Sequence, residues 1–132
     1  MTTKLDKKQI EKFSRQIILK NVGVIGQKKI SQSKVLIIGM GGLGCPVAEF
    51  LTRAGIGCLG IVDSDKVELS NIHRQSLYNS KDLKKLKVKV ATKKLNEINN
   101  KTNIIYYKIR LNENNIDKII KEYDYIVDGT DN

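Results

Sequence analysis

Residues 34–44 read KVLIIGMGGLG, and this stretch decides the fold. Its first part, 35–38, is a short run of β-branched residues and leucine, the composition of a strand buried in a parallel sheet. A GxGxxG pattern follows from Gly39 to Gly44. Glycines at a strand-to-helix joint permit a tight turn and let backbone N–H groups approach a phosphate. The stretch therefore predicts a nucleotide-binding turn.

Hydrophobic periodicity extends this pattern along the chain. The residues after the glycines predict a helix with Pro46 in its first turn and a stop at Gly55, followed by a strand at 59–62 that ends at Asp63. Further helices are predicted near 87–99 and 116–123, and further strands at 103–108 and 125–128. The order βαβαβαβ with apolar strands predicts the α/β class, with a Rossmann-like, doubly wound, mainly parallel sheet covered by helices on both faces.

Two segments stand outside this alternation. Residues 6–32 carry apolar side chains at helical spacings and predict two short helices, broken near 21–23. Residues 64–84 form a polar loop that is unusually long for a compact domain, which marks it as a candidate functional segment. We therefore divide the chain into an N-terminal helical segment at 1–33 and a nucleotide-binding domain at 34–132.

Length and composition exclude several classes of protein. The 132 residues fit one domain, and 40% hydrophobic with 29% charged residues excludes disorder as the main state. No apolar run reaches the roughly 18 residues of a membrane span and no signal peptide is evident, so a cytoplasmic protein is expected. Cys45 and Cys58 lie in apolar surroundings and are expected to pack in the core rather than to bind zinc or form a disulfide framework.

The charge balance is strongly basic, with 24 Lys and Arg against 14 Asp and Glu and a net charge of +10. Such an excess attracts nucleic acid, anionic membranes, nucleotides and acidic proteins alike. The lysines are scattered through segments rich in Asn and Ile, a bias that genome composition can produce, and aromatic residues at 5% are few for base stacking. Most of the lysines are therefore expected to be background, with a basic nucleic-acid-binding module as an alternative function.

Asp63 follows Gly44 by 19 residues, at the end of the second predicted strand. A carboxylate there can accept hydrogen bonds from ribose hydroxyls, which identifies an adenosine nucleotide but leaves NAD and ATP open. The long loop favours ATP, because Asn71, Arg74 and Lys87 supply amide and cationic donors near the phosphate turn. The last predicted strand runs into DGTDN (128–132), and a carboxylate at that edge suits a Mg²⁺ ligand beside a triphosphate.

Together these motifs resemble the N-terminal half of the ThiF/MoeB/HesA family, the bacterial relatives of ubiquitin-activating enzymes. The matching stretches are SRQIIL (14–19), KVLIIGMGGLGCPVAEFLTRAGIG (34–57), VDSDKVELSNIHRQ (62–75), LKVKVA (86–91) and VDGTDN (127–132). The resemblance implies an adenylyltransferase that uses ATP and Mg²⁺ to activate the C-terminal Gly-Gly carboxylate of a ubiquitin-like sulfur-carrier protein, with release of pyrophosphate, as in thiamin or molybdopterin biosynthesis. The alternative, an NAD-dependent Rossmann dehydrogenase, leaves SNIHRQ and GTDN unexplained.

The resemblance also implies individual roles. Asp63 would bind the ribose, and the glycines of the turn would pass close to the phosphates: Gly39, Gly41, Gly42 and Gly44. The triphosphate would be held by Asn71, Arg74 and Lys87, and Gln75 would order the loop. Asp131 would bind Mg²⁺. Arg15 would reach the active site of a neighbouring subunit, which makes residues 1–33 dimer-forming and a homodimer part of the mechanism.

The expected catalytic residues are Arg15, Arg74, Lys87 and Asp131. His73 is expected to have no catalytic role. The family pattern continues beyond the end of this chain, since members carry about as many residues again. An end directly after the metal-binding motif is typical of a truncated chain, so the C-terminal half of the domain is expected to be absent and turnover to be weak. A reactive cysteine and a structural zinc site would both lie beyond Asn132.

Overall fold

The computed structural model describes residues 4–130. Its centre is a four-stranded parallel sheet in the order β3-β2-β1-β4. The strands are β1 (Lys34–Ile38), β2 (Cys58–Val62), β3 (Asn103–Tyr107) and β4 (Tyr125–Asp128). The helices are α1 (Lys7–Lys12), α2 (Ser14–Ile17), α3 (Gly23–Gln32), α4 (Gly44–Ala54), α5 (Lys87–Ile98) and α6 (Ile116–Ile120).

The strand order contains a topological switch between β1 and β4. From β1 the chain moves outward through α4 to β2 and through α5 to β3, and α6 then carries it back to the other side of β1. Loops that leave β1 and β4 therefore diverge, which opens a crevice at the carboxyl ends of the strands. Open α/β sheets bind their ligands in such crevices. The predicted doubly wound, parallel α/β fold is confirmed.

One face of the sheet holds the main hydrophobic core. Ile37, Leu59 and Ile61 are completely buried there, packed with Ala48 of α4 and Leu95 of α5. Full burial of an aliphatic side chain of this size contributes about 1.5–3 kcal/mol. This face therefore supplies most of the packing that holds the domain together.

Both cysteines are buried, as predicted, and neither is in a disulfide. Cys45 belongs to the main core, where its thiol lies 3.5 Å from the carbonyl oxygen of Met40, and Cys58 begins β2. Burial raises the pKa of both thiols above the ordinary value. Each is therefore a protonated packing residue rather than a nucleophile.

The opposite face of the sheet is less completely covered. Leu36 is fully buried, but Ile105 and Ile126, in the same row across the strands, are 39% and 44% exposed. Tyr123, just beyond α6, lies against Gly60 of β2 so closely that a methyl group on Gly60 would overlap the tyrosine hydroxyl. The chain after α6 therefore covers only part of this face.

The first predicted helix is divided into α1 and α2 at Phe13. The ring of Phe13 turns inward beneath Gly55, where an added methyl group would lie 2.7 Å from the ring. Three residues later, the Gln16 amide donates to the Ala54 carbonyl at 3.1 Å. Contacts with the end of α4 thus override the continuous helical pattern. The predicted break at 21–23 overlaps the start of α3, which begins at Gly23.

Two other boundaries also differ from the sequence prediction. Helix α6 ends at Ile120 rather than near 123, because Tyr123 is turned toward the sheet and its hydroxyl is 2.8 Å from that of Tyr107. The predicted loop at 64–84 contains two 3₁₀ turns, Leu69–Asn71 and Ser80–Asp82. Within residues 4–130 no helix has the length and apolar character needed to cross a bilayer.

Candidate functional site

A pocket of about 220 Å³ opens at the carboxyl edge of the sheet. All four strands contribute to it, through their last residues or through the loops that follow them. The lining residues are Ile38, Gly39, Gly41, Val62, Asp63, Ser64, Asp65, Gln75, Lys87, Ile109, Arg110, Leu111, Gly129 and Thr130. The pocket thus occupies the crevice that the strand order creates.

The turn after β1 brings backbone directly against backbone. Gly39 has a φ of +94°, a conformation that side chains with a Cβ rarely adopt, and its N–H donates to the Val62 carbonyl at 2.8 Å. A methyl group on Gly44 would overlap the carbonyl oxygen of Gly39, so the turn closes only with glycine there. Because α4 begins three residues after Gly41, the positive end of its dipole lies beside the pocket.

Asp63 holds two loops together at the end of β2. Its Oδ2 accepts a hydrogen bond from the Met40 N–H and its Oδ1 accepts one from the Asp65 N–H, both at 2.8 Å. A carboxylate has about four lone-pair sites, so the side chain retains capacity for ligand hydroxyls in the pocket. With Asp65 beside it, this end of the pocket is acidic and suits a polyhydroxyl group.

Lys87 supplies the opposite charge. It is the first residue of α5, is 6% exposed and lines the pocket. Its ammonium group makes no hydrogen bond or ion pair with any residue in the described part of the chain. The side chain is largely enclosed, and its charge has no anionic partner among the described residues around the pocket. The pocket therefore favours an anion at this point.

A backbone clamp places Lys87 in the pocket. The Lys87 N–H donates to the Asp65 carbonyl at 3.1 Å, and the Val67 N–H donates to the Lys85 carbonyl at 2.8 Å. Lys84 closes the clamp by donating its N–H to Val67 at 2.9 Å, with a φ of +68° that costs roughly 1–2 kcal/mol. The clamp selects Lys87 from a crowded lysine segment as the residue that enters the pocket.

The loop at 68–78 is fixed by Asn71, which is buried. Its side-chain oxygen accepts from the Glu68 N–H at 2.8 Å, and its carbonyl accepts from the Gln75 N–H at 2.8 Å. At the far end, the Tyr78 hydroxyl donates to the Met40 carbonyl at 2.6 Å, and burial raises the pKa of this phenol so that it stays neutral. Asn71 and Tyr78 thus hold the loop onto the glycine turn.

Arg74 and Gln75 cover that turn. Methyl groups added to Gly42 and Gly41 would lie 3.6 Å from the Arg74 side chain and 3.4 Å from Gln75 Nε2. Arg74 is exposed, and its guanidinium donates to the Ser70 carbonyl at 3.0 Å. Gln75 is 3% exposed, and its Oε1 is buried with no hydrogen-bond partner. A cation and an amide therefore lie directly over the predicted phosphate turn.

The end of β4 completes the pocket. Asp128 Oδ1 accepts from the Thr130 hydroxyl at 2.6 Å and from its N–H at 3.0 Å, and these bonds hold the pKa of the carboxyl below its ordinary value. The Gly129 N–H donates to the Ile38 carbonyl at 2.7 Å. Residues 4–130 contain no group of three or more His, Cys, Asp or Glu side chains arranged to hold a metal ion.

The structure brings together part of the predicted site. Five of the predicted residues line the pocket: Gly39, Gly41, Asp63, Gln75 and Lys87. Four others belong to the turn or to the loop that covers it: Gly42, Gly44, Asn71 and Arg74. Arg15 is exposed on α2 and is not among the lining residues, and neither is His73. Asp131 lies outside the described residues.

One wall of the pocket, the segment 109–111, was not predicted from the sequence. Ile109 and Leu111 supply apolar surface, and Arg110 supplies a cation that makes no ion pair within the described chain. Its position along the chain could have indicated this role, because the segment directly follows a strand that is parallel to the strand before Asp63. The carboxyl ends of parallel strands share one edge of a sheet.

Comparison with known proteins finds a family model and relatives that match nearly the whole chain. The family model described as ThiF family matches residues 13–132. The adenylyltransferase and sulfurtransferase MOCS3 of Aedes aegypti is 45% identical over 129 residues, which cover 98% of this chain and 30% of that protein. The sulfur carrier protein adenylyltransferase of Thermus thermophilus is 40% identical over 126 residues, which cover 96% of this chain and 46% of that protein. The chain thus spans less than half the length of each relative.

A comparison with solved structures finds the same fold. The E. coli tRNA N6-threonylcarbamoyladenosine dehydratase TcdA, in a crystal structure with ATP, superposes with a TM-score of 0.91 at 21% sequence identity. The superposition covers 98% of this chain and 53% of TcdA. The two chains therefore share the fold.

Proposed function

The chain belongs to the ThiF family, and from that premise we propose that it binds ATP and adenylates the C-terminal Gly-Gly carboxylate of a ubiquitin-like sulfur-carrier protein. The observation that carries the proposal is Lys87, a buried cation without a protein partner in a pocket at the switch point of the sheet. The adenylyltransferase names of relatives at 40% and 45% identity support it. Residues 34–132 would be the adenylation domain, acting in the cytoplasm.

The two charged ends of the pocket set the orientation of the nucleotide. Asp63 would accept hydrogen bonds from the ribose hydroxyls, because its oxygens retain free lone pairs. Lys87 would contact the phosphates, with Arg74 above the glycine turn as a second cation. The backbone of Gly39 and Gly41 allows the phosphates to approach closely.

The reaction needs positioning and charge more than it needs a base. A carrier's terminal carboxylate is ionised near neutral pH and can attack the α-phosphorus directly. The new bond joins a carboxylate oxygen to that phosphorus, and the bond to the leaving pyrophosphate breaks. Lys87 and Arg74 would stabilise the negative charge that develops on the phosphate oxygens, the effect that fixed cations supply in such sites.

The proposal includes Mg²⁺, which would neutralise phosphate charge when bound. Mg²⁺ in nucleotide sites takes one or two carboxylates and completes its shell with phosphates and water, so it needs no cluster of protein ligands. Thr130 lines the pocket, and Asp131 is the next residue along the chain. Asp131 is therefore the proposed ligand.

A homodimer is part of the proposal, because Arg15 does not line the pocket of its own chain. Arg15 is exposed on α2, and nearby Ile18 and Ile25 are 73% and 74% exposed, which suits an interface formed by residues 1–33. Mixing Arg15→Ala with Lys87→Ala protein tests this. Restored activity in the mixture supports a site shared between subunits, and additive inactivity contradicts it.

Carrier-dependent ATP–pyrophosphate exchange tests the function itself. The chain is assayed with Mg-ATP and a panel of ubiquitin-like carriers that end in Gly-Gly, and the same sample is titrated with ATP, NAD and a DNA oligomer. We expect exchange only with a carrier present and a preference for ATP. Preferred NAD binding, or affinity for DNA that falls steeply with salt and shows no ATP preference, contradicts the proposal.

A further inference from the structure

A second groove, of about 610 Å³, lies along α5 beside the face that carries Lys87. Its rim carries Lys81, Lys85, Lys89 and Lys93, and Leu86 and Val90 lie between them. At 100° per residue, Lys89 and Lys93 project about 160° and about 120° away from Lys87 around the helix, whereas Lys94 projects within about 20° of it. We call this surface the lysine groove.

The described lining of the groove carries five lysines against two carboxylates, Asp82 and Glu97, and Lys85 helps to hold the pKa of Asp82 below its ordinary value. Lys94, at the same groove, donates to Asp82 Oδ2 at 2.8 Å and is neutralised by that ion pair. The four rim lysines are exposed and make no ion pair with any residue between 4 and 130. Lys89 and Lys93 are four residues apart on α5, so two like charges lie about 6 Å apart along the helix axis, with Glu97 a further four residues on. The Lys89–Lys93 pair disfavours the helix, and a further anion in the groove would relieve that repulsion.

The apolar residues decide which anion fits. Val90 is buried and Leu86 half-buried, so the groove presents aliphatic surface between its lysines. A nucleic-acid backbone offers charge but no aliphatic group, and none of the described lining residues is aromatic for base stacking. An acidic protein segment offers carboxylates for the lysines and an aliphatic side chain for Leu86 and Val90.

The groove adjoins the nucleotide pocket through the chain itself. Lys85 and Leu86 line the groove, and the next residue, Lys87, lines the pocket. A protein seated in the groove therefore lies beside the place where its tail would react. We propose that the lysine groove docks an acidic surface segment of the carrier protein. The identity of the partner rests on the proposed function, whereas the chemistry of the groove does not.

Peptide binding tests the chemistry of the groove without any reaction. A fluorescein-labelled peptide of about twelve residues, built from Glu-Glu-Leu repeats, is long enough to span the lysine groove. The triple variant Lys85→Glu, Lys89→Glu, Lys93→Glu is expected to bind it at least about tenfold more weakly, since each exposed ion pair contributes a small share. Fluorescence anisotropy measures the affinity, and circular dichroism checks the fold.

A matched triple variant controls for net charge. Lys101→Glu, Lys118→Glu, Lys121→Glu changes three exposed lysines outside the groove and is expected to keep the affinity of the unaltered chain to within about threefold. An equal loss of binding in both triples overturns the proposal. So does a mixed-sequence RNA of similar length that binds more tightly than the peptide through the same three lysines.

Exchange kinetics then test the partner. With any carrier that supports exchange, the groove triple is expected to raise the KM for carrier about tenfold while the KM for ATP and the rate at saturating carrier stay unchanged. Unaltered KM for carrier overturns the docking proposal and leaves the proposed function intact. Absence of exchange in the unaltered chain with every carrier overturns the function, and with it the carrier as occupant, while the peptide result stands on its own.

Discussion

The nucleotide pocket and the lysine groove meet at the start of α5, and both contain lysines, yet they are built differently. Lys87 is buried and held by a backbone clamp, whereas Lys89, two residues further on, is exposed and unpaired within residues 4–130. A cation held at one fixed place acts on one closely placed anion, while mobile surface lysines act weakly and in number. Single substitutions should therefore disable the pocket, and the groove should respond only to several at once.

A substitution at Gly44, in the backbone turn beside the pocket, is expected to have the largest effect on stability. Gly44→Ala would force a methyl group into the Gly39 carbonyl and is expected to lower the free energy of unfolding by more than about 4 kcal/mol, or to prevent folding. Gly41→Ala is the matched control, because its methyl group would meet only the flexible Gln75 amide, at 3.4 Å. Urea unfolding measures both. Equal midpoints would contradict a turn that closes only with glycine at position 44.

Removing the buried cation is expected to have the next largest effect. Lys87→Ala should lower the rate of carrier-dependent exchange by about 10²–10³, the loss typical when one preorganised charge donor is removed. Lys101→Ala, a change at an exposed lysine outside both sites, should leave the rate unchanged. A fall of similar size in both variants contradicts the distinction between buried and exposed lysines.

Gln75 separates ligand binding from stability within the pocket. Its buried Oε1 has no partner, so Gln75→Met should leave the free energy of unfolding unchanged or raise it by about 1 kcal/mol. Gln75→Glu places a negative charge over the glycine turn and should weaken ATP binding about tenfold. Unfolding and ATP titration on both variants check this. Destabilisation by methionine would show that the amide serves the fold.

A substitution at Asp82, which lines the lysine groove, is expected to have the smallest effect on stability. Burial alone would raise the pKa of its carboxyl, but hydrogen bonds from Lys94 and from the Asn79 backbone hold it below the ordinary 3.8. A depressed folded pKa stabilises the fold above the ordinary value, and this contribution is lost as pH falls through the folded pKa. Asp82→Asn should cost about 1–2 kcal/mol at pH 7.

The same variant has a distinctive pH dependence. Unfolding of the unaltered chain should become easier as the pH falls below about 4, and the difference between it and Asp82→Asn should shrink over that range. Urea midpoints measured from pH 7 to pH 3 follow both proteins. A difference that stays constant with pH contradicts a role for the ionised carboxylate.

The central part of the fold could be predicted from sequence because its local and long-range signals agree. Residues 34–57 combine an apolar strand, a glycine turn and a helix that ends at Gly55, and the structure has all three. The split at Phe13 could not be predicted, since it depends on a contact with Gly55 more than 40 residues away. Helical periodicity carries no information about such a contact.

The candidate site likewise contains residues that could be predicted from the sequence and residues that could not. Asp63 and Lys87 could be predicted, because the motifs around them fix their positions at the sheet edge. Arg110 was missed because no local pattern distinguishes it, and only the strand order brings its segment to the pocket. That Arg74 covers Gly42 rather than lining the pocket also depends on how the loop folds back, which the spacing of residues does not specify.

The claim that Lys87 marks a phosphate site is tested most directly by comparing two ligands. ATP and adenosine are titrated by calorimetry into the unaltered chain and into Lys87→Ala, because only ATP carries the charge that the lysine would meet. We predict that the variant binds ATP about a hundredfold more weakly and adenosine equally well. Equal weakening of both ligands, or unchanged ATP affinity, would contradict the assignment of the pocket to a nucleotide triphosphate.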